Sequence, residues 1–290
     1  MATGDGRAVP RAPGEVVNAL SVDVEDYFQV NAFKTVVSRS QWPSYPARVP
    51  DNTRRVLDLF DAHGVRGTFF VLGWVAERHP ELVREIARRG HEVACHGYGH
   101  ELVFDIGPEA FRADIGRSRH LLEDLVGGSV KGYRAPSFSV TDRSMWALDI
   151  LLEEGFLYDS SMFPIRHDVY GTPGIDPFPH PIDRERGRIW EFPMTTVALS
   201  SRRFPVSGGG YLRLLPVALV RRAFRRVNRR DRRPGVLYFH PWEFDPGQPR
   251  IAAPIKSRFR HYLNLAQTEG KVRHLLQSLR FAPMAEVLGL

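Results

Sequence analysis

Short apolar runs alternate regularly with longer amphipathic stretches, and this constrains the fold of the 290-residue chain more than any other feature. The runs at 16–24, 67–72 (GTFFVL), 91–96, 130–133, 156–160, 189–192 and 236–240 have the length and the β-branched and aromatic character of buried strands. Helical patterns occupy 52–63, 75–89, 108–126, 142–154, 216–227 and 268–279. Gly64, Gly90, Gly127 and Gly155 stand just beyond four of them, where a left-handed residue stops a helix, and Asp51 after Pro50 is placed to cap the first. Strand–helix alternation predicts a parallel sheet covered by helices. The pattern alone does not separate a closed barrel from an open doubly wound sheet. However, no G-x-G-x-x-G follows a strand and no G-x-x-x-x-G-K-[ST] occurs, so the usual phosphate-binding signatures of open sheets are missing. Pro- and Gly-rich irregular stretches at 41–50, 164–183 and 205–210 are candidates to shape the mouth of a site.

Apolar residues at 43% and charged residues at 25% are ordinary for a globular protein and exclude disorder or coiled coil as the main state. A single cysteine, Cys95, excludes an intrachain disulfide scaffold. No apolar run approaches the roughly 18 residues of a membrane helix. The first residues lack the apolar core of a signal peptide, so 1–15 read as a flexible lead-in and the cytoplasm is the expected location. The net charge of +7 is concentrated in Arg221, Arg222, Arg225, Arg226, Arg229, Arg230, Arg232 and Arg233. The first six recur every four residues, along one side of a helix, with Leu219, Ala223, Phe224 and Val227 available to pack the other. An anionic membrane or a diphosphate-linked glycan suits such a stripe. Nucleic acid is not expected, because no reading motif accompanies the charge.

Polar residues collect just after the strands, where α/β enzymes place their sites. Ser21-Val22-Asp23-Val24-Glu25-Asp26 puts three carboxylates at the end of an apolar strand, which is costly unless a cation neutralises them. His96 and His100, in His96-Gly97-Tyr98-Gly99-His100, have a spacing that can chelate a metal. With one of the acids they supply two nitrogens and an oxygen, the three protein ligands of a catalytic zinc site. Cys95 alternates away from His96 and reads as packing. Arg134, in GYRAPS, can pair with a carboxylate and hold it ionised. His240, in LYFHPWE, ends an apolar strand and can donate a proton.

The order and spacing of SVDVED, HGYGH, RAPS and LYFH across about residues 19–245 resemble the polysaccharide deacetylase family with NodB homology, carbohydrate esterase family four. The SVDVEDYFQV start, WEFP at 190–193 and the tail KSRFRHYLNLAQTEGKVRHLL are similar to a subgroup associated with exosortase/PEP-CTERM exopolysaccharide loci. The resemblance implies a distorted (β/α) barrel of about seven parallel strands over 16–248, with a C-terminal helical extension, 249–290, packed on it. It implies Asp23 as catalytic base, His96 and His100 as metal ligands, Arg134 as the residue orienting the base, His240 as general acid, and the Ser137 N–H as oxyanion donor. The cofactor implied is a divalent metal, Zn2+ first, with Co2+, Ni2+ or Mn2+ as alternatives. The sequence departs from the family pattern in three places. D-x-E-D replaces the adjacent acid pair, leaving Glu25 or Asp26 as third ligand, and an extended strand favours Glu25 because it shares the face of Asp23. Gly97 stands where the family has Ser or Thr. The D-x-x-D-W motif is not evident, Asp159 is a weak stand-in for it, and the partner of His240 is unassigned.

The reaction implied is metal-dependent removal of N-acetyl groups from an N-acetylhexosamine polysaccharide or its lipid-linked precursor, releasing acetate. Trp42, Tyr98, Phe138 and Trp242 are candidates to stack on sugar faces. The alternatives are another amide or ureide hydrolase on the same barrel and a non-catalytic glycan-binding protein. Peripheral contact with an anionic membrane accompanies the cytoplasmic expectation.

Overall fold

A computed structural model describes residues 15–167, 170–199 and 202–290. The proposed lead-in lies outside the described residues up to residue 14. Among the described residues eleven strands are formed: β1 (Asn18–Val24), β2 (Thr68–Val71), β3 (Glu92–Cys95), β4 (Gly132–Tyr133), β5 (Tyr158–Asp159), β6 (His180–Arg184), β7 (Gly187–Glu191), β8 (Thr196–Leu199), β9 (Arg202–Pro205), β10 (Val236–Phe239) and β11 (Phe281–Ala282). The helices are α1 (Val49–Ala62), α2 (Gly73–Arg78), α3 (Pro80–Arg88), α4 (Val103–Val126), α5 (Ala147–Glu153), α6 (Gly209–Leu214), α7 (Val217–Arg226), α8 (Ile255–Tyr262), α9 (Leu265–Ser278) and α10 (Met284–Leu288).

The main sheet runs β10-β1-β2-β3-β4-β5-β7-β6. Its first seven strands pair in parallel, and β6 closes the far edge as an antiparallel hairpin with β7. This curled, mostly parallel sheet with helices is the barrel-like architecture expected, including its seven parallel strands. The C-terminal segment does more than pack on the barrel: β11 joins the sheet, pairing in parallel with the start of β1 on the side away from β10.

β1 is buried along its whole length, as a central strand between β2 and β10 must be. Its outward side chains join a core of Val56, Leu57, Phe60, Phe69, Val71 and Phe239. The inner face is lined by Phe70, Ala94, Tyr158 and Phe192. The 75–89 helix expected as one piece is two, α2 and α3. Pro80 cannot continue a helix, and His79 sits outside helical geometry at φ −130°, ψ 56°. Asp51 is not the cap of α1 either. The helix starts earlier, at Val49, and the Arg48 and Val49 N–H groups donate to Asp26 Oδ2 at 2.7 and 2.9 Å. A carboxylate from the loop after β1 therefore satisfies the start of α1. No helix among the described residues is long and apolar enough to cross a membrane.

Candidate active site

The C-terminal ends of β1, β3, β4 and β10 open into one cleft of about 650 Å3. Asp23, Glu25, His96, His100, Ser137 and His240 all line it. Arg134 lies just beneath. Its side chain is fully buried, and the fork donates from Nη1 to Asp23 Oδ1 (2.6 Å) and Ser21 Oγ (2.8 Å), from Nη2 to Ser160 Oγ (2.9 Å) and from Nε to the Ser160 carbonyl (3.1 Å). The guanidinium also lies over the Phe70 ring, 4.1 Å from its centroid. So many partners fix the Asp23 carboxylate through one oxygen. The other, Oδ2, lies 3.9 Å from His240 Nε2.

Glu25 Oε2 is 2.8 Å from His100 Nε2, while Oε1 accepts from Trp242 Nε1 at 3.3 Å and lies 3.5 Å from His240 Nε2. Burial opposes ionisation of Glu25, but His100, His240 and His96 around it hold its carboxyl down at about 2. The His96 Nδ1 atom meets the Arg134 carbonyl at 2.7 Å. A donor hydrogen there leaves Nε2 as an open lone pair. Burial pushes His96 down to about 4, which keeps the ring neutral. One ligand atom from each of Glu25, His96 and His100 lies within 4.8 Å of the others. Glu25 Oε2 is buried against His100 Nε2, so a carboxylate oxygen and an imidazole nitrogen face each other where a cation would bind. The N,N,O donor set suits a divalent transition metal, so these residues fit the expected ion.

Asp26 faces elsewhere. Oδ1 accepts from the Tyr27 N–H (3.0 Å) and Oδ2 caps α1. Burial raises its pKa to about 6. The strand ends at Val24 and does not run on extended through Glu25, whose N–H turns back on the Asp23 carbonyl at 3.1 Å. Glu25 therefore reaches the cleft from a turn, not from a continued strand.

The loop after β3 is shaped by Asp114 of α4. Its carboxylate takes the Tyr98 N–H (2.7 Å) and the Gly99 N–H (3.2 Å). Gly97 has φ +71°, and a Cβ there would come 2.7 Å from Asp114 Oδ2. A Ser or Thr at this position has no room because the carboxylate already occupies the space.

The partner of His240 is Glu243, which the sequence reading missed. His240 Nδ1 meets Glu243 Oε1 at 2.7 Å, and Arg213 Nε donates to Glu243 Oε2 at 2.7 Å. Burial works against a charged His240, but the Glu243 hydrogen bond and then the charges of Glu25, Glu243 and Asp23 raise it to about 9. H-x-x-E directly after a strand was the available signal. Arg213 arrives on α6, whose approach needs Gly208 at φ +48°, where a Cβ would overlap the Tyr238 carbonyl oxygen. Asp159, the stand-in considered for this motif, lies instead at the end of β5, with Ser161 Oγ donating to its carboxylate.

Of the aromatic candidates, Phe138 and Trp242 line the cleft. Trp242 is a buried slab between His240 and His261, with ring centroids at 5.1 and 4.1 Å. Trp42 and Tyr98 do not line it. Trp42 packs edge-on against Trp74 in the core at 5.4 Å, and Tyr98 donates its hydroxyl to Glu77 at 2.7 Å beneath the Arg117 guanidinium. Tyr170 and Tyr211, not singled out from the sequence, do line the cleft.

A family model described as polysaccharide deacetylase matches residues 42–151, and one described as a domain of unknown function (DUF3473) matches 160–289. Residues 42–151 are thus similar to a polysaccharide deacetylase domain. Curated relatives of that domain include a peptidoglycan-N-acetylglucosamine deacetylase of Bacillus cereus, 32% identical over 98 residues, which cover 33% of this chain and 36% of the relative. A chitooligosaccharide deacetylase of Rhizobium leguminosarum bv. trifolii is 31% identical over 112 residues, covering 34% of this chain and 52% of the relative. The chain thus spans about a third to a half of the length of these relatives. A solved Mycobacterium smegmatis structure assigned as a polysaccharide deacetylase superposes with TM-score 0.63 at 24% identity, over 97% of this chain and 92% of that one. An allantoinase superposes with TM-score 0.60 at 14% identity, over 99% and 96%. Both likenesses concern the fold. The deacetylase match carries His96, His100 and Arg134, whereas His240, Glu243 and Arg213 fall in the segment matched by the second model.

Proposed function

We propose that the chain is a metal-dependent deacetylase of an N-acetylhexosamine-containing glycan, a polysaccharide or its lipid-linked precursor, releasing acetate and leaving a free amine. The observation that carries this reading is the convergence of the Glu25–His96–His100 cluster, an Arg134-held Asp23 and a Glu243-held His240 on one cleft. A divalent ion bound by Glu25, His96 and His100, with zinc the leading choice, supplies Lewis acidity toward the acetamide carbonyl and the attacking water.

The chain's own residues do the rest. Asp23 is the base: Arg134 holds Oδ1, and Oδ2 faces the cleft to take a proton from water. The Ser137 backbone lines the cleft at φ +52°, and its N–H is our candidate donor to the oxygen that gains charge. His240, kept protonated by Glu243, delivers a proton from Nε2 to the departing amine. Phe138, Tyr170 and Tyr211 offer ring surface for sugars. The exopolysaccharide association of the similar subgroup makes a secreted or lipid-linked glycan the substrate to test first.

The experiment is acetate release from a panel of N-acetylated oligosaccharides and lipid-linked sugars by metal-reconstituted protein. His96→Ala should lose bound metal and turnover together. Asp23→Asn should keep the metal and lose turnover by about 10²–10⁴-fold, the usual weight of general acid–base help. Unchanged metal stoichiometry in His96→Ala would remove the histidine from the coordination sphere. Ureide cleavage without acetate release would move the chain to the other hydrolase class.

A further inference from the structure

Six arginines lie along α7 and the π turn that follows it (Val227–Asp231). Several arginines elsewhere are held in ion pairs: Arg89 with Asp58, Asp61 and Glu85, Arg112 with Glu153 and Glu154, Arg184 with Asp149. Among the described residues, no carboxylate lies within ion-pair distance of Arg221, Arg222, Arg225, Arg226, Arg229 or Arg230, and Arg221 instead meets the His274 ring at 3.1 Å. All six border a groove of about 1110 Å3 between α7 and the β8–β9 hairpin. The groove is floored by apolar side chains that a folded chain normally hides: Leu199, Phe204, Leu214 and Leu219 are 62%, 45%, 57% and 54% exposed.

This face is continuous with the active-site cleft, because Tyr211 and Leu214 line both. Across the mouth, α8 repeats the combination. Ile255 is 84% and Phe259 61% exposed, with Lys256 and Arg260 beside them on the rim. Bare guanidinium groups and protruding apolar side chains thus flank the entrance on both sides.

We infer that this face docks on an anionic phospholipid bilayer, with the cleft mouth toward the membrane. Cations gather at the phosphates of such a surface, while Leu, Phe and Ile side chains enter the boundary below the headgroups. A nucleic acid would use the charge but leave the apolar groups in water. The inference does not rest on the acyl chemistry, since binding is read without turnover.

The test is flotation of the full chain with phosphatidylglycerol-containing vesicles and with pure phosphatidylcholine vesicles, at low and raised salt. The chain should float with the anionic vesicles only, and salt should weaken the signal. Arg225→Ala and Arg229→Ala should each weaken binding about fivefold, the equivalent of about 1 kcal/mol per basic residue. Leu219→Ser with Phe204→Ser should weaken binding with the charge intact, and all these exposed sites should leave the melting temperature unchanged. Failure to float at low salt, or equal flotation with neutral vesicles, would overturn the docking. Capture of a DNA or heparin probe by this face without vesicle binding would replace the bilayer with a soluble polyanion.

Discussion

His240 shows how much a single residue's chemistry depends on a partner three positions away. Glu243 holds the imidazole through Nδ1, and Arg213 holds Glu243. A group raised to about 9 is protonated below that pH and fails as an acid above it. Glu243→Gln should therefore bring the alkaline limb of the pH–rate profile down toward the ordinary histidine value near 6.5. Metal content should stay unchanged. An alkaline limb that does not move would show that Glu243 has no part in tuning the acid. The residues legible in the sequence were those announced by their own chemistry at a strand end: Asp23, His96, His100, Arg134 and His240. Arg213 was not, because ordinary surface helices are full of Arg, and for Glu243 the H-x-x-E spacing was the sole hint, so it is the burial of both that marks this pair. The choice of Glu25 over Asp26 agrees with the way the two side chains face, yet its premise of a continued strand does not hold.

Among the elements, α1 has a start that depends on a distant side chain. Asp26 accepts two N–H groups at the helix N-terminus, a place the dipole also favours for an anion. Asp26→Ala should cost about 1–3 kcal/mol, because buried donors lose their acceptor, while bound metal is retained. Chemical denaturation and elemental analysis of the same preparation separate the two effects. Loss of metal in this variant would place Asp26 among the ligands after all. The strands of the parallel sheet could be read because both faces are buried and the runs are uniformly apolar. β6, β8 and β9 could not: β6 reads HPIDR and β9 RRFP, half-exposed hairpin strands whose pairing, not their composition, makes them strands. The helix over 75–89 was overextended for the opposite reason, its apolar period running straight through Pro80.

For the molecule as a whole, buried neutral histidines link stability to pH. His91 accepts the Gly67 N–H at Nδ1 (3.2 Å) among Phe60 and Phe69, and burial lowers it to about 4. Its folded pKa lies below the unfolded value. Its contribution is therefore complete above 6.5 and is lost as pH falls toward 4, where the unfolded chain takes a proton that the folded one refuses. His91→Gln should flatten the fall in melting temperature over that interval. A slope identical to the parent would assign the acid sensitivity to other groups. The pairing of β1 has a different consequence. Asp23 lies on, and Glu25 just past, a strand whose neighbour on one side, β10, lies 217 residues further along the chain, with β11 later still. On the ribosome this strand waits, one edge bare, through the synthesis of nearly everything else. Closing so long a loop is slow, and the unpaired apolar edge is open to wrong partners meanwhile. The last strands to emerge thus complete the candidate cleft, and a nascent chain that has not yet reached Val236 carries His96 and His100 but has no His240 to set beside Asp23.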